Sequence, residues 1–118
     1  LNYESVVLFG KGTLVAEEDK EEALKVVSDH LIPDRWEEVR KPSAKELKAT
    51  KVIAIYLDEV TAKIRTGDPK DDKNDYHLPV WAGVVPIKEE YETPLPDSLL
   101  NPMIKEPSPS VLKLIHKT

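Results

Sequence analysis

Runs of apolar residues predict four β-strands along the chain. Residues 5–9 are a short run of β-branched and aromatic side chains, and residues 13–15 resume this run after two glycines. Residues 52–57 are apolar without interruption, which is typical of a central strand. In residues 60–66, Val60, Ala62 and Ile64 alternate with the polar residues Thr61, Lys63 and Arg65, as expected for a strand with one covered face. Residues 80–87 return to strand character, and the proline within them indicates an edge or a bulge.

Between the early strands and residue 52 the apolar spacing becomes that of α-helices. Residues 17–31 are predicted to be helical, because apolar residues recur there every three or four positions at Ala23, Leu24, Val27 and Leu31. Ser43 and Glu46 have the spacing of a capping box, which predicts the start of a second, short helix. The pattern therefore places a helical insertion after the first strand region.

Proline changes the character of the chain from Thr93 onwards. This segment holds five of the ten prolines in the sequence, so we expect an extended arm with little regular structure. The arm is too apolar for a free linker, and we expect it to wrap over another surface. Val111, Leu114 and Ile115 are spaced to form a last helical turn.

The order of elements favours a mainly β, antiparallel domain over residues 1–92, followed by a proline-rich C-terminal arm over residues 93–118. Four strands are few for closing a barrel alone. The chain also begins at Leu1, inside a strand-like run and without Met. We therefore expect a barrel that is incomplete at its N-terminus, as part of a longer protein.

Composition excludes several classes of function. The 118 residues suit a single domain, and 17 Lys plus Arg against 22 Asp plus Glu give a net charge of −5, which argues against a general nucleic-acid binder. The absence of cysteine excludes disulfides and thiolate chemistry. No apolar run approaches the ~20 residues that span a membrane. Without a recognisable signal peptide, we expect a cytoplasmic protein with neither nucleic-acid nor membrane partners.

The predicted strand over residues 60–66 carries the strongest candidate site. Thr61, Lys63 and Arg65 point to the same side, because residues two apart on a strand share a face. Two cations on one face can hold a phosphate or another anion. The alternative is a solvated face whose cations form weak ion pairs with nearby carboxylates.

Trp81 is a second candidate, since it lies next to the small residues Ala82 and Gly83. A large ring beside closely approaching backbone can flank a planar cofactor. The alternative is an indole that packs in a core or a subunit interface.

Metal binding has little support. The acidic segment with Asp68, Asp71, Asp72 and Asp75 lacks the residue order of a calcium loop. The three histidines, His30, His77 and His116, are not paired at metal-ligand spacing. We expect no metal site.

Four segments in sequence order carry a resemblance to a known family. They are NYESVVLFG at residues 2–10, HLIPDRW at 30–36, AKIRTGDP at 62–69 and LPVWAGV at 78–84. Together they resemble the pyridoxamine 5′-phosphate oxidase-related flavin-binding proteins, a group that includes nitroimidazole-resistance-type proteins. The resemblance covers roughly residues 2–87.

This resemblance implies an antiparallel split β-barrel of the FMN-binding type, which forms a homodimer with FMN at the dimer interface. It implies that Lys63 and Arg65 contact the flavin or its phosphate and that Trp81 lies near the flavin ring or the substrate. Thr66, in the same motif, is a further candidate for cofactor binding, and Ser5 and Asn2 are weaker ones. Members of the family usually carry an additional stretch before Asn2, with early barrel strands and much of the phosphate-binding surface.

The function implied by the resemblance is flavin-mediated hydride or electron transfer to a small-molecule acceptor. The flavin would supply the chemistry and the protein would supply placement and electrostatics. Lys63 or Arg65 would stabilise the negative charge of the reduced flavin, and no side chain would act as a nucleophile. The alternative is a non-catalytic module that binds flavin or haem, or that only dimerises.

Overall fold

The longest strand pair joins the start of the chain to its middle. The computed structural model describes residues 1–116. Strand β1 (Tyr3–Phe9) pairs antiparallel with a later strand, Glu59–Arg65, with Tyr3 opposite Arg65 and Phe9 opposite Glu59. We call the later strand β4 and the pair the long ladder.

The register of the long ladder separates its side chains into two faces, since directly opposed residues point the same way. One face is almost wholly apolar and consists of Val6, Leu8, Val60, Ala62 and Ile64, together with Glu4. The other face carries Ser5, Thr61, Lys63 and Arg65 with Tyr3, Val7, Phe9 and Glu59. All side chains of both strands are exposed within this chain.

The helical insertion follows a second, shorter pair of strands. Strand β2 (Thr13–Leu14) pairs antiparallel with strand β3 (Ile53–Ala54). Helix α1 (Lys20–Leu31) and helix α2 (Ala44–Ala49) lie between them in sequence, with short 3-10 helices at Glu17–Asp19 and Trp36–Glu38.

Helix α2 begins with the capping box that its sequence predicts. The Ser43 hydroxyl accepts a hydrogen bond from the Glu46 N–H at 3.2 Å, and the Glu46 carboxylate accepts one from the Ser43 N–H at 2.9 Å. Arg40 adds two hydrogen bonds to the same carboxylate, at 3.0 and 2.6 Å. These bonds, from Arg40 first and the Ser43 N–H second, lower the pKa of Glu46 to about 2.

Helix α1 is attached through a buried lysine rather than through the whole predicted apolar stripe. Ala23 and Leu24 are half-buried, but Val27 and Leu31 are exposed. The Lys20 ammonium is buried, forms an ion pair with Glu17 at 2.6 Å and donates to the carbonyl oxygen of Leu47 at 3.0 Å. The Leu47 carbonyl oxygen lies in the last turn of α2 and also accepts from the Thr50 N–H at 3.2 Å. A cation is favourable at this position because the C-terminal end of a helix dipole is negative.

The end of the chain forms helix α3 (Pro109–Ile115), whose first turn is bound by Glu38. The Glu38 carboxylate accepts hydrogen bonds from the Ser110 N–H at 2.8 Å and the Ser110 hydroxyl at 2.6 Å. Arg35 donates to the same carboxylate at 3.2 Å and to the Ser108 hydroxyl at 2.7 Å. A carboxylate at a helix N-terminus satisfies free N–H groups and interacts favourably with the helix dipole.

The chain divides into two compact units, each made of two segments. One unit contains residues 1–11 and 55–88, including the long ladder, and the other contains residues 12–54 and 89–118. No apolar side chain in residues 1–116 is buried; the buried residues of that range are Lys20 and Ser110. None of the helices in the same range is both long and apolar enough to cross a membrane.

The antiparallel pairing, the helical insertion and the last helical turn are confirmed. The split barrel stays a prediction, because the described residues form two separate two-stranded ladders. The mainly β description is too strong, since helical segments contain more of the described residues than strands do. The division between residues 1–92 and 93–118 also stays a prediction.

Two predicted strands are wrong. Of residues 52–57, only Ile53 and Ala54 form a strand, because their pairing with β2 spans two residues. Residues 80–87 form no strand. Pro86 has no N–H to donate to a ladder, and the Val80 N–H donates locally to the Leu78 carbonyl oxygen at 2.8 Å.

The attachment of α3 should depend on pH. The hydroxyls of Ser108 and Ser110, helped by the Ser110 N–H and Arg35, lower the pKa of Glu38 from 4.5 to about 2. A lowered carboxyl pKa stabilises the fold above the ordinary value, and this contribution is lost as the pH falls toward the folded value. We expect the Ser110 amide resonance to shift as α3 detaches between about pH 4.5 and about pH 2.

Glu38→Gln tests this assignment against Glu37→Gln, a neighbouring substitution of the same kind. Nuclear magnetic resonance should show the acid transition at Ser110 in the Glu37→Gln variant and its loss in Glu38→Gln. The same transition in both variants would contradict the role of Glu38.

Candidate functional site

The face of the long ladder that carries Thr61, Lys63 and Arg65, which we call the polar face, brings three predicted site residues together. Lys63 lies opposite Ser5, and Arg65 lies opposite Tyr3 at the end of the ladder. Both cations are exposed, and neither has an ion pair among the described residues. Neighbouring carboxylates of the described residues therefore do not form ion pairs with Lys63 and Arg65. Both cations are available to an anion.

A groove opens where β4 ends. It has a volume of about 770 Å³ and is lined by Arg65, by residues 67–71, by residues 83–87 and by Leu1 and Asn2. Volumes of roughly 300–1,000 Å³ are typical of small-molecule sites. The lining at residues 67–71 is polar, with Asp68, Lys70 and Asp71, whereas the lining at residues 83–87 is mostly apolar. The groove can accept a ligand with both a charged part and an apolar part.

The polar part of this groove, which we call the 67–71 loop, is held by two side chains. The Asn2 amide donates to the Gly67 carbonyl oxygen at 3.0 Å. The Tyr76 hydroxyl accepts from the Asp71 N–H at 3.2 Å and donates to the Pro69 carbonyl oxygen at 3.5 Å. Gly67 has φ +98°, a conformation that glycine adopts without a steric penalty.

Trp81 lies against the backbone at Gly83. A Cβ atom added to Gly83 would be 2.8 Å from Cζ2 and 2.9 Å from Cη2 of the indole. Trp81 is 77% exposed and is not among the residues that line the groove. Gly83 therefore allows an aromatic ring to approach the backbone closely, as its sequence position predicts. The ring that lies there is the indole of Trp81 itself.

Thr66 follows β4 directly, between Arg65 and Gly67, and it is exposed and does not line the groove. Ser5, Lys63 and Arg65 thus share one face of the ladder, whereas Thr66 and Trp81 are not brought into that set. The assignment of all five residues to cofactor binding stays a prediction.

Sequence reasoning missed Lys70 and Tyr76. Lys70 lines the groove, but in the sequence it belongs to a charged segment that is typical of a solvated loop. Tyr76 holds that segment through backbone groups, and backbone partners leave no residue pattern in a sequence.

A second groove, of about 450 Å³, lies in the other unit around α1 and the Trp36–Glu38 segment. Its lining contains Glu18, Glu21, Glu22 and Glu37 with Lys25 and Lys41. Within residues 1–116, no three histidine or acidic side chains converge as metal ligands would.

A protein-family model described as pyridoxamine 5′-phosphate oxidase matches residues 1–64. This match spans more than half of the chain. The chain belongs to the pyridoxamine 5′-phosphate oxidase family. The matched part contains β1 and the residues of β4 up to Ile64. These two strands carry the polar face.

Two solved structures share the fold of this family member. The flavocytochrome Anf3 from Azotobacter vinelandii is 42% identical, with a TM-score of 0.85 over 95% of this chain and 52% of that chain. The FAD and haem binding protein from Mycobacterium smegmatis is 34% identical, with a TM-score of 0.85 over 97% of this chain and 56% of that chain. The chain therefore spans about half the length of each protein. No curated protein is significantly similar to it in sequence.

Gly83→Ala tests the contact between Trp81 and the backbone. The added Cβ would lie within 3 Å of the indole, so the ring must turn away, and an exposed side chain can do so at little cost in stability. We expect a changed Trp81 fluorescence spectrum in a Trp36→Phe background, with nearly unchanged thermal stability. Gly67→Ala is the contrasting variant. No atom lies within 4 Å of its added Cβ, but φ +98° is strained for alanine, so this variant is expected to lose stability without touching an aromatic ring. An unchanged Trp81 spectrum in Gly83→Ala would contradict the contact.

Proposed function

We propose that this chain binds a flavin nucleotide. The observation that carries the proposal is the pair of cations on the polar face, Lys63 and Arg65, which have no ion pair among residues 1–116. Arg65 also lines the groove at the end of β4. Support comes from the two structural neighbours, one a flavocytochrome and the other an FAD and haem binding protein.

The residues present fit such a group. A flavin nucleotide combines a planar ring system with a phosphate-bearing chain. Lys63, Arg65 and Lys70 are donors of the kind that phosphate requires, and residues 83–87 provide an apolar surface of the kind that a ring system requires. A bound flavin supplies hydride or electron transfer, while the chain supplies binding and electrostatics.

We further propose that the flavin is FMN and that the complete protein is an oxidoreductase acting on a small-molecule acceptor. The cations at Lys63 and Arg65 support this activity, since positive charge beside a flavin stabilises its reduced, negatively charged form. The cofactor candidates are Ser5, Lys63, Arg65, Thr66 and Trp81, of which the first three share the polar face.

A homodimer is part of the proposal. An isolated two-stranded ladder is marginally stable in water, and the apolar face of the long ladder includes Val6 at 63% and Ile64 at 67% exposure. Contiguous exposed apolar surface of this kind marks an interface. A second copy of the chain, covering this face, would also bring two polar faces into one assembly.

Flavin binding is tested by titration of the purified chain with FMN. We expect quenching of the flavin fluorescence with saturation in the micromolar range, roughly −8 kcal/mol. Circular dichroism before and after titration reports whether the chain is folded. A folded chain that causes no quenching at tens of micromolar FMN would contradict the proposal.

Haem binding is a second candidate, favoured by the haem named for the protein from Mycobacterium smegmatis. The same preparation distinguishes the two, because bound flavin gives a yellow protein and bound haem gives a Soret absorbance band. A colourless protein that binds neither would favour a dimerisation module without a cofactor.

Lys63→Ala should weaken FMN binding. Loss of one charge-assisted hydrogen bond costs roughly 1.5–3 kcal/mol, which is about tenfold or more in Kd. We also expect the reduction potential of the bound flavin to fall, because a cation near it is removed. Lys11→Ala is the matched control, since Lys11 belongs to the same unit but lies outside the long ladder. Equal effects of the two substitutions would contradict the assignment of Lys63.

A further inference from the structure

We propose that the backbone surface at Gly83 is a slot for a flat aromatic ring of a ligand, and that the indole of Trp81 is a gate that fills this slot until the ligand displaces it. We call this surface the Gly83 slot. The inference rests on the proposed flavin function and goes beyond it, because it makes Trp81 a competitor of the ligand rather than a wall of its site.

The Gly83 slot accepts a ring because glycine has no side chain. An atom added at its Cβ position would lie 2.8 Å from Cζ2, 2.9 Å from Cη2 and 3.6 Å from Cε2 of the Trp81 indole. The edge of a six-membered ring therefore takes the space that any other residue would fill with its own Cβ. At the other glycines of residues 1–116, no aromatic ring atom outside the adjacent residues lies within 4 Å of that position.

Few interactions hold the indole in the slot. Trp81 is exposed, and its N–H has no hydrogen-bond partner among residues 1–116. Its backbone belongs to no helix or strand. Exposed side chains change rotamer within picoseconds to nanoseconds, so the indole can leave the slot without a rearrangement of the fold.

The slot adjoins the groove at the end of β4. Gly83 is part of the lining of this groove, whereas Trp81 is not. The lining continues over residues 84–87, which are apolar and exposed. A flat molecule that lies along these residues therefore reaches the backbone surface that the indole covers.

Competition by the indole has a consequence of definite sign. A ligand that binds only when the slot is empty loses affinity in proportion to the fraction of chains in which the indole fills it. Removal of the indole therefore raises the affinity for the ligand. If the indole were a wall of the site, its contacts would add affinity and its removal would lower it.

Two molecules in the proposed function contain a flat aromatic ring. One is the flavin itself, and the other is an aromatic substrate that exchanges electrons with it. Lumiflavin, which is the flavin ring system without the phosphate-bearing chain, is the probe for the first. Nicotinamide, a single heteroaromatic ring, is the probe for the second and is added with and without FMN.

Trp81→Ala tests the gate in equilibrium titrations with both probes. We expect the Kd for the ring that uses the slot to fall about two- to tenfold, as loss of one competing aromatic contact predicts. Gly83→Ala should raise the same Kd, because its Cβ fills the slot and excludes indole and ligand alike. A disturbance of the fold would instead weaken binding in both variants.

Tyr56→Ala is the matched control. Tyr56 is an exposed aromatic residue of the same unit, and its hydroxyl has no hydrogen-bond partner among the described residues. We expect unchanged Kd values for both probes in this variant.

Nuclear Overhauser effects locate the ring. In the free chain, the ring protons of Trp81 should show them to the Hα protons of Gly83. Their replacement by effects from lumiflavin to Gly83 assigns the slot to the flavin ring, and replacement by effects from nicotinamide alone assigns it to a substrate ring.

Two results would overturn the gate while leaving flavin binding intact. One is persistence of the Trp81–Gly83 effects when each probe is saturating, and the other is a Trp81→Ala variant that binds neither probe more tightly. A folded chain that binds neither FMN nor lumiflavin would overturn the proposed flavin binding. Displacement of the indole by nicotinamide in that chain would still support the gate, and its absence would overturn the gate as well.

Discussion

The antiparallel register between β1 and β4 determines most of what the first unit can do. It places Ser5 opposite Lys63 and Tyr3 opposite Arg65, and it brings the apolar side chains of both strands together on the other face. The two cations themselves share a face because they are two residues apart on β4. A shift by one residue would move every side chain of one strand to the opposite face. The same register brings the start of the chain to the end of β4, where Asn2 bonds to Gly67 and the groove opens.

Within each of the two units, polar contacts are more prominent than buried apolar side chains. Lys20 and Ser110 are the buried residues of the described chain, and both belong to the unit that contains the helices. Each of them forms a hydrogen bond to a group far away in sequence. In the ladder unit, the apolar face and residues 83–87 remain exposed. Burial of apolar surface is the main favourable term in folding, which is the physical reason why a partner surface forms part of the proposed function.

The side chains of the candidate site are positioned in two different ways. Lys63 and Arg65 are placed by a regular ladder, whereas Lys70 is placed by a loop whose conformation depends on Tyr76 and Asn2. Sites on strands are positioned by backbone hydrogen bonding, and loops need side-chain bonds to reach similar order.

Local pattern was sufficient for the elements whose interactions are local. Alternation over residues 60–66 predicts β4 and its polar face, the Ser43–Glu46 spacing predicts the start of α2, and four short motifs are enough to indicate the family. Only tertiary structure decided that β4 pairs with β1, that residues 52–57 contribute just two residues to a ladder, and that Tyr76 holds the loop containing Lys70. The physical reason is that side-chain period and capping are properties of neighbouring residues, whereas strand partners and hydrogen bonds to distant backbone groups depend on which segments meet in space.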